Sequence, residues 1–523
     1  MKPLLRNPHV ILASVAAIVI GTVLPASMAV ADAPSWPMGG QNYQNTRSND
    51  TQTAITAKNA NQLSTKWTFT THGDVSATPA VVGNDVYFPD WGGYINKVDA
   101  KTGALIWERK ISSYGYNTDP ELVSRTSPAV VGNVVYLGDQ GGGSSQSPQA
   151  GRVLAINATT GALLWSSVIN PNLWTIITQS PVVLNGVVYV GAASAEESAA
   201  AFIPGYVCCS FRGSVSALNA ATGQVLWTTY TVPTGYSGGA VWGSTPALDS
   251  KSNTVYVTTG NNYSVPQAAK DCQIAGGTPS DCLDPADHID AIMALDMTTG
   301  AVKWATGVQG FDDWIVSCII GVPNCPLSPG PDFDFGSGPN LFKVKSGAGQ
   351  RLLVGAGAKS GIYWALDAKT GAIEWSTQAG PGSTLGGIQW GSATDGKRIY
   401  IAEANFDGVA YPNNASLPHT GSFAALDPAT GAILWQTPDP SGSFDTGAVS
   451  TSNGVVYVGS MSGHMYALNA ATGAVLKDIL GQGSSNAGPA ISNQGVLYWG
   501  NGYSRFGLGT GSTTFYAFSL NGK

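Results

Sequence analysis

One short phrase of sequence recurs along most of this chain, and it limits the available folds more than any other property. It reads K-V-D-A-K-T-G-A-L-I-W ending at Trp107, A-I-N-A-T-T-G-A-L-L-W at Trp165 and A-L-N-A-A-T-G-Q-V-L-W at Trp227. It returns as A-L-D-M-T-T-G-A-V-K-W at Trp304, A-L-D-A-K-T-G-A-I-E-W at Trp375 and A-L-D-P-A-T-G-A-I-L-W at Trp435. A seventh copy, A-L-N-A-A-T-G-A-V-L-K, carries Lys477 in place of the tryptophan. The Asp or Asn accepts hydrogen bonds from backbone N–H groups two residues on, and the Gly takes the positive φ of a tight turn. The tryptophan is large enough to fill the space between neighbouring sheets, with its indole N–H seeking an acceptor.

A second hairpin precedes each copy, as in S-P-A-V-V-G-N-V-V-Y-L-G from Ser127 to Gly138, where apolar residues alternate about a Gly-Asn turn. Hairpin and motif together make four strands. Four-stranded units repeated in this way predict an all-β fold, a β-propeller of antiparallel blades. Near the N-terminus, N-Q-L-S-T-K-W carries Trp67 with no turn motif before it, while the chain ends on T-F-Y-A-F-S-L-N-G-K. The two fragments complement each other. Thr514–Leu520 should join the sheet that holds Trp67 and close the ring, which removes its open edge. Trp67 and the seven motifs then make eight blades.

Composition agrees with short strands and tight turns: 66 of 523 residues are glycine and 11% are charged. A net charge of -7 with no basic run argues against nucleic acid as a partner. Lys2 and Arg6 precede an apolar stretch from Val10 to Val23, and Ala29-Val30-Ala31 offers a small-residue cleavage site. Residues 1–31 therefore read as a signal peptide, and residues 32–523 as a single propeller. The apolar stretch is short for a membrane span, and no later segment could cross one. The expected location is periplasmic or secreted. In such an oxidising compartment disulfides can form, and the six cysteines come as three pairs close in sequence, Cys208/Cys209, Cys272/Cys282 and Cys318/Cys325. The last two lie in Pro/Gly-rich stretches, where disulfides would staple long loops. There is no C-x-x-C-H for covalent haem and no ligand spacing for zinc. Insertions at 194–212, 262–288 and 308–339 fall in blades three to five, counted from the Trp107 blade. Insertions in repeat arrays map to one face, often the binding face.

Between the repeats, S-W-P-M-G-G-Q-N-Y-Q-N-T-R-S-N, D-V-S-A-T-P-A-V-V-G, C-C-S-F-R-G-S-V and P-D-F-D-F-G-S-G-P are distinctive. With the eightfold repeat, they make the chain resemble the pyrroloquinoline quinone (PQQ) dependent alcohol dehydrogenases, in particular their polyvinyl-alcohol-dehydrogenase-like branch, over roughly residues 34–523. The resemblance implies a Ca2+ ion held by a Glu, an Asn and an Asp. Those positions match Glu196 in G-A-A-S-A-E, with Glu197 the neighbouring alternative in register, Asn261 in T-G-N-N-Y, and Asp332 in P-D-F-D. Asp332 matches the catalytic base and Asp334 is an extra carboxylate, although Pro331 stands where the family carries a Trp. Calcium favours carboxylate and amide oxygens; as a Lewis acid it would polarise a quinone carbonyl while an adjacent Asp takes the alcohol proton.

The resemblance also implies a pocket for a flat, tricarboxylated quinone. Trp242 in G-G-A-V-W-G-S matches the stacking tryptophan, Arg125 in V-S-R-T-S-P the arginine that pairs a cofactor carboxylate, and Thr178 in T-Q-S-P a cofactor-bonding threonine. Lys359 in A-K-S-G-I-Y stands where the family places a cation against the quinone oxygens. Relatives use a vicinal disulfide as a lid, placed before the arginine that matches Arg125. Here Cys208 and Cys209 lie later, between Glu196 and Arg212. Either the lid has moved to a neighbouring loop, or these cysteines pair elsewhere; Arg212 could serve the cofactor or brace the loop. The expected function is an exported quinoprotein dehydrogenase that oxidises alcohol groups with PQQ and Ca2+ and passes electrons to an external acceptor such as cytochrome c. The alternatives are a non-catalytic propeller scaffold for envelope protein–protein interaction, and a sugar-processing or polysaccharide-binding propeller, hinted at by Trp91 and Trp390. The identity of the alcohol stays open.

Overall fold

Eight antiparallel sheets, each built on four strands and the third extended by the short strand Thr175–Ile176, form a β-propeller, as the repeat predicts. The computed structural model describes residues 35–141, 148–347 and 349–523, and the expected signal peptide lies outside them. The first blade runs from Ala80–Val82 out to Leu105–Lys110, and the seventh from Ser450–Ser452 out to Val475–Leu480. The eighth is made from both chain ends. Leu63–Thr70 pairs with Thr514–Leu520 in a register that runs from Leu63 opposite Leu520 to Thr70 opposite Thr514. That pairing closes the ring.

The motif does the mechanical work expected of it. Each indole N–H donates to a backbone carbonyl of the next blade: Trp67 to Ala100 at 3.2 Å, Trp107 to Ala158 at 3.0 Å, Trp227 to Met297 at 3.0 Å and Trp304 to Ala368 at 3.2 Å. The ring then lies flat on the turn glycine of that next blade. A Cβ built on Gly371 would sit 2.6 Å from Trp304, so glycine is required there for clearance as well as for its φ of 74°. Two residues further on, a hydroxyl fastens the same joint, as Thr306 does by donating to the Gly371 carbonyl at 2.8 Å.

Lys477 in the seventh copy also has a physical reason. The next blade is the closing one, and the turn that would receive a tryptophan does not exist there, because its paired strands Thr514–Leu520 and Leu63–Thr70 are not consecutive in the chain. The short 3-10 turn Ala60–Gln62 stands at that place instead, with the Asn521 N–H bonded to the Gln62 carbonyl at 2.9 Å. Leu476 and Ile479 fill the joint in place of an indole, packing on a cluster that includes Ala60 and Leu63.

Residues 35–53 were not assigned by the repeat, and they fill the middle. This segment passes the innermost strands of the blades in ring order. Trp36 bonds with Val81 of the first blade, Pro37 accepts from Val130 of the second, Tyr43 from Leu248 of the fourth and Gln44 from Leu341 of the fifth. Thr46 then accepts from Thr394 of the sixth and Arg47 from Thr451 of the seventh, and Asn49 reaches Ile491 of the eighth. Inner strand edges that would otherwise line an open channel are satisfied by one strap of chain. Arg47 is 2% exposed and donates to the carbonyls of Val449 and Gly39 and to the Thr78 hydroxyl; burial lowers its pKa to about 9.

Candidate active site

The turn after the second strand opens onto one face of the ring. In the first and fifth blades it is tight, closed by Asp90 N–H to Tyr94 and by Ala358 N–H to Ile362. The next residue's N–H then reaches the loop that leads into its own blade, Trp91 to Asp74 and Lys359 to Asp334, each at 2.9 Å. Lys359 is thereby set against the 331–335 loop by a backbone contact common to the repeat. In the third blade the second strand, Val187–Ser194, overruns and leads into the helix Glu196–Phe202. In the fourth, Gly260-Asn261 leads into the strand Asn262–Ser264 and the insertion beyond it.

At the meeting point of these turns, Lys359 Nζ lies 2.9 Å from Asp332 Oδ1 and 2.7 Å from Asp334 Oδ1. Trp242 Nε1 donates to Asp334 Oδ2 at 2.5 Å, and Lys359 Nζ lies 5.4 Å from the centre of the Trp242 ring. Asp332 holds a φ of 60°, a left-handed conformation that L side chains rarely adopt. It is fixed from outside: the N–H groups of Asp332 and Phe333 both donate to the Asp312 carboxylate at 2.8 Å. Asp332 Oδ2 is buried without a partner. Asp290, fully buried, has no partner on either oxygen.

Five carboxylates against one lysine is an electrostatic imbalance. Burial pushes the Asp332 carboxyl well above its usual range; Lys359 opposes this, while Asp334 and Glu197 add to it. Burial alone would lower Lys359, but the two aspartates outweigh it and hold the lysine charged. Burial lifts Glu197 to about 7 and Asp312 to about 6. A divalent cation beside the unpartnered oxygens would reverse these upward shifts, so the donor chemistry fits one. Among the described residues no trio of His, Cys, Asp and Glu is gathered to hold a metal without other ligands. The expected set, two carboxylates and an amide, is of a different kind.

The two adjacent glutamates part company. Glu196 Oε1 accepts from the Tyr206 hydroxyl at 2.7 Å and from the Ser210 N–H and Oγ at 2.8 and 2.9 Å, and Oε2 from the Phe211 N–H at 2.7 Å. Both its oxygens face the cysteine loop. Glu197 instead feels Lys359, Asp334 and Asp312 and hydrogen-bonds with Tyr263. Asn261 is buried, and its amide nitrogen donates to the carbonyls of Asn262 and Trp314 at 2.9 and 2.8 Å, which orients Oδ1 the other way.

Cys208 and Cys209 form a vicinal disulfide across a cis peptide bond, and the other two local pairs are joined as well. Cys208 lines a cleft of about 300 Å3 with Tyr263, Lys270, Asp313 and Asn324. Asn324 donates to the carbonyls of Ala200 and Tyr206, which binds two of the insertions together. Arg212 is committed to the loop: its Nε and Nη2 both donate to the Val232 carbonyl.

Trp242 is half-buried, and a Cβ on Gly336 would approach its ring to 2.9 Å. Trp390 meets it edge-on at 5.3 Å, and Arg125 stacks 3.9 Å over Trp390. Thr178 Oγ1 is buried and unpartnered; the next residue, Gln179, donates to the Gly243 carbonyl beside Trp242. The structure thus brings Asp332, Asp334, Lys359 and Trp242 into direct contact, and Arg125 joins them through Trp390. Sequence reasoning missed Asp290, Asp312, Tyr263 and Arg505. Asp312 and Arg505 lie in an insertion and in the loop of the closing blade, where no motif marks them, while Tyr263 closes T-G-N-N-Y and Asp290 directly precedes the strand Ala291–Asp296.

The chain matches the family model described as outer membrane protein assembly factor BamB over residues 32–205, 211–413 and 419–506. It is 30% identical to the polyvinylalcohol dehydrogenase of Sphingopyxis sp. (strain 113P3), over 88% of this chain and 73% of that protein. It is 28% identical to the polyvinylalcohol dehydrogenase of Pseudomonas sp., over 96% of this chain and 79% of that protein. In fold it is similar to the quinohemoprotein alcohol dehydrogenase ADHIIG of Pseudomonas putida HK5, with a TM-score of 0.70, 19% identity and coverage of 94% of this chain and 80% of that one. The chain belongs to the PQQ-repeat family and, within it, to the PQQ-dependent alcohol dehydrogenases, among proteins like polyvinyl alcohol dehydrogenase.

Proposed function

We propose that this protein is an exported quinoprotein dehydrogenase that oxidises alcohol groups, polymeric or small, with PQQ and Ca2+. The observation that carries the reading is Asp332: buried, held in a left-handed conformation, anchored through Oδ1 by Lys359 and free at Oδ2. A carboxylate so held can receive an alcohol proton at one oxygen without losing its position. Glu197, Asn261 and Asp332 would hold the calcium. Glu197 replaces Glu196 in this set because both Glu196 oxygens are spent on the cysteine loop. Trp242 offers a flat platform, Thr178 Oγ1 a free hydroxyl, Lys359 and Arg125 positive charge, and the Cys208-Cys209 disulfide an apolar roof. When bound, the quinone supplies a two-electron acceptor and the calcium a Lewis acid. Asp312 keeps the 331–335 loop in place by holding two of its N–H groups, and Asp334 orients both Lys359 and the Trp242 indole.

Electrons would leave to an external acceptor such as cytochrome c, since the sequence carries no covalent haem motif. Three local disulfides support export to a periplasm or beyond. Among the described residues no helix is long and apolar enough to cross a membrane. The scaffold reading draws on the BamB description, but a scaffold has no need of five carboxylates around a buried lysine. The test is reconstitution. Apo-protein should gain dye-linked alcohol oxidation only when both PQQ and Ca2+ are supplied, and Asp332→Asn should lower kcat by about 10²–10⁴-fold, the range of a lost general base. Activity that survives in Asp332→Asn removes the base assignment.

A further inference from the structure

The sequence reading located the decorated face in the third to fifth blades, but the closing blade contributes to it too. Between its strands Leu497–Trp499 and Thr514–Leu520 the chain makes a long loop that carries Tyr503 and Arg505. Asp74 ties this loop down, accepting from the Ser504 N–H and Oγ and the Ser512 N–H, each at 2.8 Å. Its carboxylate is thereby occupied. Arg505 Cζ lies 4.0 Å from the centre of the Trp91 ring. Arg125 Cζ lies 5.8 Å from the same ring and 3.9 Å from Trp390, whose edge meets Trp242.

Two guanidinium groups near one indole repel each other. Burial lowers the pKa of Arg125, Tyr503 opposes that, and Arg505 lowers it further. Among the described residues neither arginine meets a carboxylate within ion-pair distance, and Arg505 Nε is buried without a partner. Unpaired charges taken partly out of water are costly, and guanidinium groups are the cations best shaped to receive a carboxylate in two parallel hydrogen bonds. Indole faces beneath both keep the planes in place.

We propose that Arg505, from the loop of the closing blade, binds a carboxylate of the anionic cofactor beside Arg125, whose guanidinium lies over Trp390 and near Trp91. The inference rests on the PQQ reading above. It adds that the ring-closing blade takes part in holding the cofactor, because Asp74, next to the first strand of the chain, anchors the loop that carries Arg505. Loading the cofactor should therefore also stiffen closure of the ring.

The test measures binding apart from turnover. Apo-protein with Ca2+ is titrated with PQQ, followed by quenching of tryptophan fluorescence, for the wild type, Arg505→Ala, Arg505→Lys and the outer-strand control Arg109→Ala. Arg505→Ala should weaken binding about tenfold or more, the scale of one lost charge-assisted hydrogen bond. Arg505→Lys should recover part of this, and Arg109→Ala should bind as the wild type does. The trimethyl ester of PQQ, which lacks the carboxylate charges, should bind the wild type and Arg505→Ala equally; an equal loss for acid and ester would show a merely structural role and overturn the proposal. If Arg505→Ala misfolds, as judged by circular dichroism, Arg505→Gln takes its place with the same expectation. Unchanged PQQ affinity in the folded variant overturns the role of Arg505 alone. A wild type that fails to bind PQQ overturns both this inference and the quinoprotein reading.

Discussion

Asp332 owes its place to a backbone conformation that most residues avoid, kept by the Asp312 carboxylate beneath it and by Lys359 in front. Its neighbour Asp334 is a positioning residue, since it shares Lys359 and fixes the Trp242 indole. Asp334→Asn should leave the loop folded but lower kcat about tenfold, on the scale of one charge-assisted contact, with the Trp242 emission maximum shifted as its indole N–H loses a charged acceptor. A second test concerns acids away from the site. Glu403 and Asp445 are fully buried, neither forms an ion pair among the described residues, and burial pushes both well above the usual carboxylate range. A folded pKa raised above the unfolded value stabilises fully below the unfolded value, near pH 4, and is lost as pH rises through the folded one. Glu403→Gln should therefore flatten the fall in stability between pH 5 and 8 by up to about 1.4 kcal/mol per pH unit, read from urea denaturation at several pH values. At this scale the sequence was readable where a motif named the position, as at Asp332, Lys359 and Trp242. It left Glu196 and Glu197 as neighbouring alternatives, because consecutive residues at the start of a helix point about 100° apart and their different partners, the cysteine loop for Glu196 and Tyr263 for Glu197, are set by packing.

At the scale of elements, the joint between blades is one indole, one glycine and one hydroxyl, so its failure modes are specific. Trp304→Ala should cost about 3–5 kcal/mol, measured by denaturant unfolding, since it leaves a cavity and an unfilled carbonyl at Ala368. Lys477→Trp, which restores the repeat on paper, should give no gain in the same measurement, because no turn glycine faces it across the closing joint. The helix start at Glu196 gives a third expectation. Glu196→Ala removes four hydrogen bonds from the loop bearing the vicinal disulfide, so the amides of Ser210 and Phe211 should lose protection in hydrogen exchange while the blade strands keep theirs. The strands were legible because alternation and turn chemistry repeat eight times. The inserted helices, Glu196–Phe202, Gln267–Ile274, Pro279–Cys282 and Ser317–Ile320, were not, since runs of four to eight residues are too short to show a period.

At the scale of the molecule, the ring is held from outside by its last strand and from inside by the strap at residues 35–53. Arg47 sits where that strap meets the first and seventh blades, so Arg47→Met should lower the unfolding free energy by about 3 kcal/mol as its contacts to Val449, Gly39 and Thr78 are lost. The strap was the part of the fold least visible beforehand: its hydrogen bonds go to partners hundreds of residues away, and no local pattern encodes them. It also decides the traffic of the enzyme. With the hollow occupied along the innermost strands, the propeller is a well with a floor rather than a pipe. On the function proposed above, an alcohol would reach Asp332 from the face that carries the inserted loops, with the cofactor already seated there, and not through the centre of the ring.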